Sequence, residues 1–191
     1  MTDNIRIRRA LTKIAWAYVL LYLDFNLTVN DHALNLLPNW AGYLLIFSAI
    51  VLLGTELRSL LLLKPFCVLL GAVSGVDWLA VLLTGQELTG RFFLFSILLI
   101  CVGIYFRFQM LTDLSQLAED HGIRADSLRL CRNAEAVIQV LLMLPLPWED
   151  STALTALYIG LLIAGFIVCA FIIYQLFVLR NSFPEQEAPE T

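Results

Sequence analysis

Apolar residues fall into six long runs separated by short polar breaks, and strand-like alternation of apolar and polar positions is absent. Runs of about 18 or more apolar residues read as helices that cross a bilayer. The pattern predicts helices at residues 14–30, 38–56, 65–84, 88–121, 127–144 and 151–179. The breaks have chemical causes. Pro38 and Pro65 suit a helix's first turn, where a missing N–H costs nothing. Gly85 and Gly122 suit left-handed helix ends, Asp126 an N-cap. Pro145 and Pro147 stop the fifth helix, Ser151 and Thr152 open the sixth, and Pro184 closes it. The fold class expected is all-α, a polytopic transmembrane bundle over residues 1–183. The acidic, proline-containing stretch 184–191 reads as a disordered tail.

Composition agrees with this pattern. Of 191 residues, 60% are hydrophobic and 15% charged, with mean hydropathy +0.81. A soluble domain is typically about 45–50% apolar and about 25% charged. The net charge of −4 matters less than where the cations lie. Arg6, Arg8, Arg9, Lys13, Arg58, Lys64, Arg107, Arg124, Arg129, Arg132 and Arg180 fall on one side of the predicted spans, and only Arg91 on the other. Cytoplasmic loops carry the excess of Lys and Arg, so both termini are expected in the cytoplasm. Asp24 and Asn26 interrupt the place where a signal peptide would be cleaved, so the first span is read as uncleaved. The sequon Asn26-Leu27-Thr28 lies in or against the bilayer and is read as chance.

Chemistry in such a chain is sought among polar residues at bilayer depth. A central carboxylate costs about 2.5–3.5 kcal/mol on insertion scales, so it normally faces a partner or a wet cavity. Asp24 and Asp77 both fall in the outer half of their predicted helices. Ser74 shares a face with Asp77 at i,i+3. Gly71 and Gly75 form a small-x-x-x-small pair suited to helix packing. A mouth lined by Asp24, Asn26, Asn39, Ser74 and Asp77 would attract a small cation or an amine solute. The plainer reading is that Asp24 snorkels to the surface and Asp77 bonds a neighbouring helix. A second polar set, Arg132, Glu135 and Gln139, lines one face of the fifth helix near its inner end. Arg132 and Glu135 are placed to pair at i,i+3.

Other motifs exclude more than they suggest. Cys67, Cys101, Cys131 and Cys169 lie on different predicted helices without metal spacing. His32 and His121 stand alone. No nucleophile elbow, phosphate loop or His-Glu-x-x-His occurs. No metal, cofactor or nucleic-acid partner is expected. Residues 43–54, YLLIFSAIVLLG, echo residues 92–103, FFLFSILLICVG, which suggests tandem helical hairpins. The fourth predicted helix would be about 50 Å long at 1.5 Å per residue. Its end sets Met110, Leu111, Leu114 and Leu117 against Asp113, Gln116, Glu119 and Asp120. That end either projects to a membrane surface or partner, or packs on its own neighbours.

The stretch 23–53, LDFNLTVNDHALNLLPNWAGYLLIFSAIVLL, resembles an element of uncharacterised small multi-pass membrane proteins of Gram-positive bacteria. Its features are Asp24-x-Asn26, then Leu37-Pro38, then Gly42-Tyr43-Leu44. The resemblance covers about a sixth of the chain. It implies a bacterial inner (plasma) membrane and brings no activity or catalytic residues with it. Three functions follow as expectations: binding or transport of a small cation or solute through buried carboxylates, a non-enzymatic accessory or scaffold role with a membrane protein partner or a second copy, and, last, a lipid-acting enzyme.

Overall fold

Residues 7, 10, 11, 14, 15, 17 and 18 are all apolar or tyrosine. Their 3–4 spacing is that of one helix face. In the computed structural model, which describes residues 2–22, 26–29, 32–35, 38–85, 92–148 and 151–183, they are the buried face of the first helix, α1 (Thr2–Tyr22). The helix thus starts twelve residues before the predicted residue 14, because that stripe runs straight through the basic segment.

It also ends earlier than predicted. Asn26–Val29 and His32–Asn35 form two antiparallel strands, β1 and β2, with Val29 opposite His32. Thr28 and Val29, both β-branched, favour strand over helix. Asn30 and Asp31 are the residue types of a two-residue connection. Asp24, Asn30 and Asp31 lie outside the described residues, as does the expected tail 184–191.

Helices α2 (Asn39–Leu53), α3 (Arg58–Leu61), α4 (Lys64–Thr84), α5 (Phe93–Asp120), α6 (Asp126–Met143) and α7 (Thr152–Ser182) follow. Several ends match their sequence signals. Helix α2 begins directly after Pro38, and Pro65 occupies the first turn of α4. Gly85 and Gly122 take φ of 70° and 72°. The Ser151 hydroxyl accepts from the Leu154 N–H at 3.2 Å. At α6, Ala125 rather than Asp126 holds the cap position.

The described residues are overwhelmingly helical. Three helical stretches, Arg58–Thr84, Phe93–Asp120 and Thr152–Ser182, are long and apolar enough to cross a membrane, and α2 is a shorter apolar helix.

Successive long helices run antiparallel. Trp40 and Tyr43 meet Gly75 and Gly71 across α2–α4. Glu119, Thr112 and Arg107 meet Arg129, Arg132 and Gln139 across α5–α6. Helix α7 returns beside α1, where the Arg8 guanidinium donates to the Phe183 carbonyl at 3.3 Å. The helices close a ring in chain order, α1–α2–α4–α5–α6–α7–α1, with α4–α5 as its thinnest seam. The start of α1, the end of α7 and the α5–α6 turn therefore share one end, the basic end.

Packing is uneven along the ring. Buried residues concentrate toward the basic end: Ile7 to Tyr18, Ile46 to Leu63, Phe106 to Ala118, Leu128, Cys131, and Ile172 to Phe183. Leu94 and Leu98 on α5, Val140 on α6, and Leu157 and Ile163 on α7 are exposed beyond it. The Met110–Leu117 stripe of α5 is buried in this core, so the long helix packs on its own neighbours. Asp113, expected on the polar face, is buried as well; Gln109 donates to its Oδ1 at 3.0 Å, and Ser59 of α3 lies close to it.

Gly71 and Gly75 let α4 approach α2. A Cβ on Gly71 would stand 3.1 Å from the Cβ of Tyr43, and one on Gly75 3.7 Å from that of Trp40. Between lipid-embedded helices such close backbone packing replaces the hydrophobic driving force. The sequence echo does not extend to packing, since nothing stands within 4 Å of a Cβ on Gly103.

Candidate functional site

A buried polar cluster lies where the dense core ends and the helices begin to stand apart. Helix α5 contributes Arg107, α6 contributes Glu135 and Gln139, and α1 contributes Tyr18 and Tyr22. Glu135 and Gln139 are one helical turn apart and so share a face. Arg107 is 13 residues from the end of α5, about 20 Å at 1.5 Å per residue. Glu135 is nine residues into α6, about 14 Å by the same rise.

Every described contact of the Glu135 carboxylate converges on one oxygen. Its Oε1 accepts from the Tyr22 hydroxyl and, at 3.4 Å, from the Gln139 amide. The Arg107 Nε lies 3.3 Å from the same oxygen, an ion-pair distance without hydrogen-bond alignment. Oε2 accepts nothing from the described residues. Arg107 Nη2 donates to Gln139 Oε1 at 2.5 Å, and its guanidinium carbon lies 5.9 Å from the centre of the Tyr22 ring. The Glu135 side chain is 7% exposed and that of Arg107 23%.

Tyr18 is fully buried, its ring 5.5 Å from that of Tyr22, and its hydroxyl has no partner among the described residues. Cys169 on α7 and Tyr43 on α2 complete the surround, both within electrostatic reach of these groups. A buried ion pair recovers its desolvation cost only when further hydrogen bonds satisfy it. Here Tyr22 and Gln139 supply those bonds, while the Tyr18 hydroxyl is left over.

The predicted inner set is divided by the structure. Glu135 and Gln139 are in the cluster, but Arg132 is not. Its Nη1 donates to Thr112 Oγ1 at 2.8 Å, Nε and Nη2 donate to Asn133 Oδ1, and the guanidinium stacks 4.4 Å from the Phe108 ring centre. The i,i+3 pairing with Glu135 is therefore not formed. Arg132 lies a turn nearer the basic end, where Thr112, Asn133 and Phe108 meet it. The sequence marks Arg107 only as an inner-side cation and does not single out Tyr18 or Tyr22. The signal that could have found Arg107 is its place 14 residues into an apolar helix, too deep for a loop residue.

The outer candidates are less gathered. Asp24 lies outside the described residues, and of Asn26 only the strand backbone is described. Ser74 and Asp77 are half-buried on α4, against which β2 packs. Asn39, at the start of α2, has a buried Oδ1 without a partner among the described residues. His121 bonds the Leu117 carbonyl at 2.9 Å and meets the Phe183 ring edge to face. No group of three His, Cys, Asp or Glu residues suited to a metal occurs among the described residues, and the four cysteines are free. Comparison of the chain with protein families, with curated proteins and with solved structures finds no match.

Proposed function

We propose that the chain is a multi-pass protein of the bacterial inner membrane that binds a small polar solute at the Tyr22–Glu135–Arg107–Gln139 cluster and passes it across the bilayer. In this reading the chain crosses six times with both termini in the cytoplasm. The antiparallel ring, the ten basic residues other than Arg107 that the sequence puts on one side, and the shared location of residues 8 and 183 support it.

One observation carries the functional part: a charged pair is held inside a helical bundle at the level where tight packing stops. A purely structural clamp would gain as much from apolar residues of the same size, whereas ionisable groups at bilayer depth mark solute and proton pathways. The carboxylate of the transport reading is then chiefly Glu135. A cation or amine at Asp24, Asn26, Asn39, Ser74 and Asp77 is a second proposal, favoured by the orphaned Asn39 oxygen near the outer end of α2.

A scaffold role remains the alternative reading, although the residues put forward for it also make contacts within the chain. The Gly71/Gly75 face is used within the chain, and so is the apolar end of α5.

Stopped-flow swelling of liposomes carrying the purified chain tests the main reading, with small neutral solutes and salts as the permeants. Protein-dependent swelling that Arg107→Leu removes is expected. If inserted, monodisperse protein leaves swelling equal to that of empty vesicles for every solute, the transport reading is wrong. Asp77→Asn in the same assay tests the second proposal, which predicts a loss confined to cations.

A further inference from the structure

We propose that the cluster takes up a small monovalent anion together with one proton, the anion on Arg107 and Tyr18 and the proton on Glu135 Oε2. This rests on the solute-binding reading above and names its substrate class.

Charge and leftover hydrogen-bonding capacity both point there. In a low-dielectric interior a site that changes net charge is strongly disfavoured, so a ligand must leave the total where it was. The resting site is neutral, one guanidinium against one carboxylate. A cation or an anion entering alone would charge it. An anion entering with a proton would not: the proton bonds to Oε2, the Glu135 carboxyl becomes neutral, and Arg107 exchanges that carboxylate for the anion as its counter-charge. The balance is one proton plus one anion bound, with no electron moved and no bond made other than O–H.

The groups with spare hydrogen-bonding capacity match these two guests. Oε2 is the carboxylate oxygen that no described donor occupies. The Tyr18 hydroxyl is a fully buried donor without a partner among the described residues, and Arg107 Nε is a buried donor without an aligned acceptor. A buried donor left unpaired costs free energy unless an ion, a water or a ligand meets it.

The other titratable groups around Glu135 are Tyr18 and Tyr22 from α1, Tyr43 from α2, Arg107 from α5, Cys131 on its own helix and Cys169 from α7. None is a second carboxylate, so Glu135 is the group that can take the proton near neutral pH. Protonation need not break its support, because Tyr22 and Gln139 can still donate to Oε1.

The test uses the full chain in liposomes with a pH-sensitive dye inside, and chloride or nitrate added outside as the probe. Either anion is expected to acidify the interior at a rate unchanged by a potassium–valinomycin shunt, because the paired movement is electroneutral. Glu135→Gln, which mimics the protonated acid and keeps the Tyr22 acceptor, is expected to abolish acidification while the variant stays monodisperse and helical like wild type. Tyr18→Phe is expected to raise the half-saturating anion concentration several-fold and leave the protein folded. Acidification that survives Glu135→Gln would overturn the assignment of the proton. Wild-type vesicles that swell with neutral solutes, but neither acidify nor take up chloride or nitrate, would overturn this proposal and leave the solute-binding reading standing. Vesicles inert to every solute would remove both.

Discussion

Replacing Arg107 by leucine gives the sharpest test of the cluster, because it strands Glu135 inside the protein. The variant loses the ion-pair contact at 3.3 Å and the 2.5 Å bond to Gln139. Glu135 is 6% exposed, so bulk water replaces little of what the guanidinium supplies. Breaking a buried pair from one side costs about 3–5 kcal/mol. The molecule has a cheaper escape, which is to carry Glu135 as the neutral acid. Holding an ordinary carboxylic acid protonated at pH 7 costs about 1.36 kcal/mol per pH unit above its titration point near 4.3, or about 3.7 kcal/mol. The expected loss is therefore about 3–4 kcal/mol at pH 7, falling to about 1 kcal/mol at pH 5.

The sign follows from proton counting. The folded variant holds a proton that the unfolded chain has released, so its stability falls as pH rises. Reversible unfolding in mixed micelles at pH 5, 6 and 7.5 measures this, with wild type as the reference. Glu135→Gln added to Arg107→Leu should restore most of the loss and remove the pH slope. A single variant within about 1 kcal/mol of wild type at pH 7.5, against the 3–5 kcal/mol expected of a buried pair, would mean that the two charges are not enclosed together. A loss of equal size at every pH would mean that Glu135 does not respond to losing its partner.

Other consequences are quicker to check. Reporter tags fused to the two ends should both report the cytoplasm, and opposite faces would refute an even number of passes. Gly71→Leu should lower stability by about 1–3 kcal/mol, the usual range for overpacking, since its Cβ would stand 3.1 Å from Tyr43. Gly103→Ala meets nothing within 4 Å and should be neutral or stabilising by up to about 1 kcal/mol, from helix propensity, in the same unfolding assay. Glu119→Gln breaks the 2.5 Å pair with Arg129, whose two side chains are 40% and 45% exposed. Exposed pairs contribute about 0–1 kcal/mol, so unfolding should shift by less than that, and less still in high salt.

Legibility in the sequence followed the strength of each physical signal. Helices set by long apolar runs and closed by Pro or Gly were readable, as at Pro38, Pro65, Gly85 and Gly122. Residues 2–13 were misjudged because Arg6, Arg8, Arg9 and Lys13 dominate their composition, while the stripe Ile7, Ala10, Leu11, Ile14 decides their structure. Residues 26–29 were absorbed into a helix because apolarity outweighed the β-branched pair Thr28 and Val29. In the site, Glu135 and Gln139 were visible as one face of one helix. Their true partner was not, because Arg107 is 28 residues from Glu135 along the chain and reaches it only when α5 and α6 pack antiparallel. The nearer Arg132 looked better on spacing alone. Spacing on one helix sees i,i+3 and i,i+4 neighbours and is blind to what a second helix brings alongside.

The same geometry explains why two arginines of the α5–α6 pair have different roles. Arg132 finds Thr112, Asn133 and the face of Phe108, all neutral, near the end where charged groups gather. It needs no counter-ion, because its charge remains close to water. Arg107, about 7–8 Å further along its helix than Thr112 by the standard rise, has exposed apolar helix beyond it and buried core behind it. A guanidinium there must be neutralised within the bundle, and Glu135 is the acid placed to do so. That necessity ties α1, α5 and α6 together at a single level and makes whatever reaches Glu135 Oε2 felt by all three helices. Cutting one tie without touching a charge, by Tyr22→Phe, should therefore leave the Arg107–Glu135 pair intact but loosen α1. Faster hydrogen exchange across residues 14–22, with α5 and α6 unchanged, is the expected pattern. Uniform acceleration in all three helices would mean instead that Gln139 alone cannot hold the ion pair once the hydroxyl is gone.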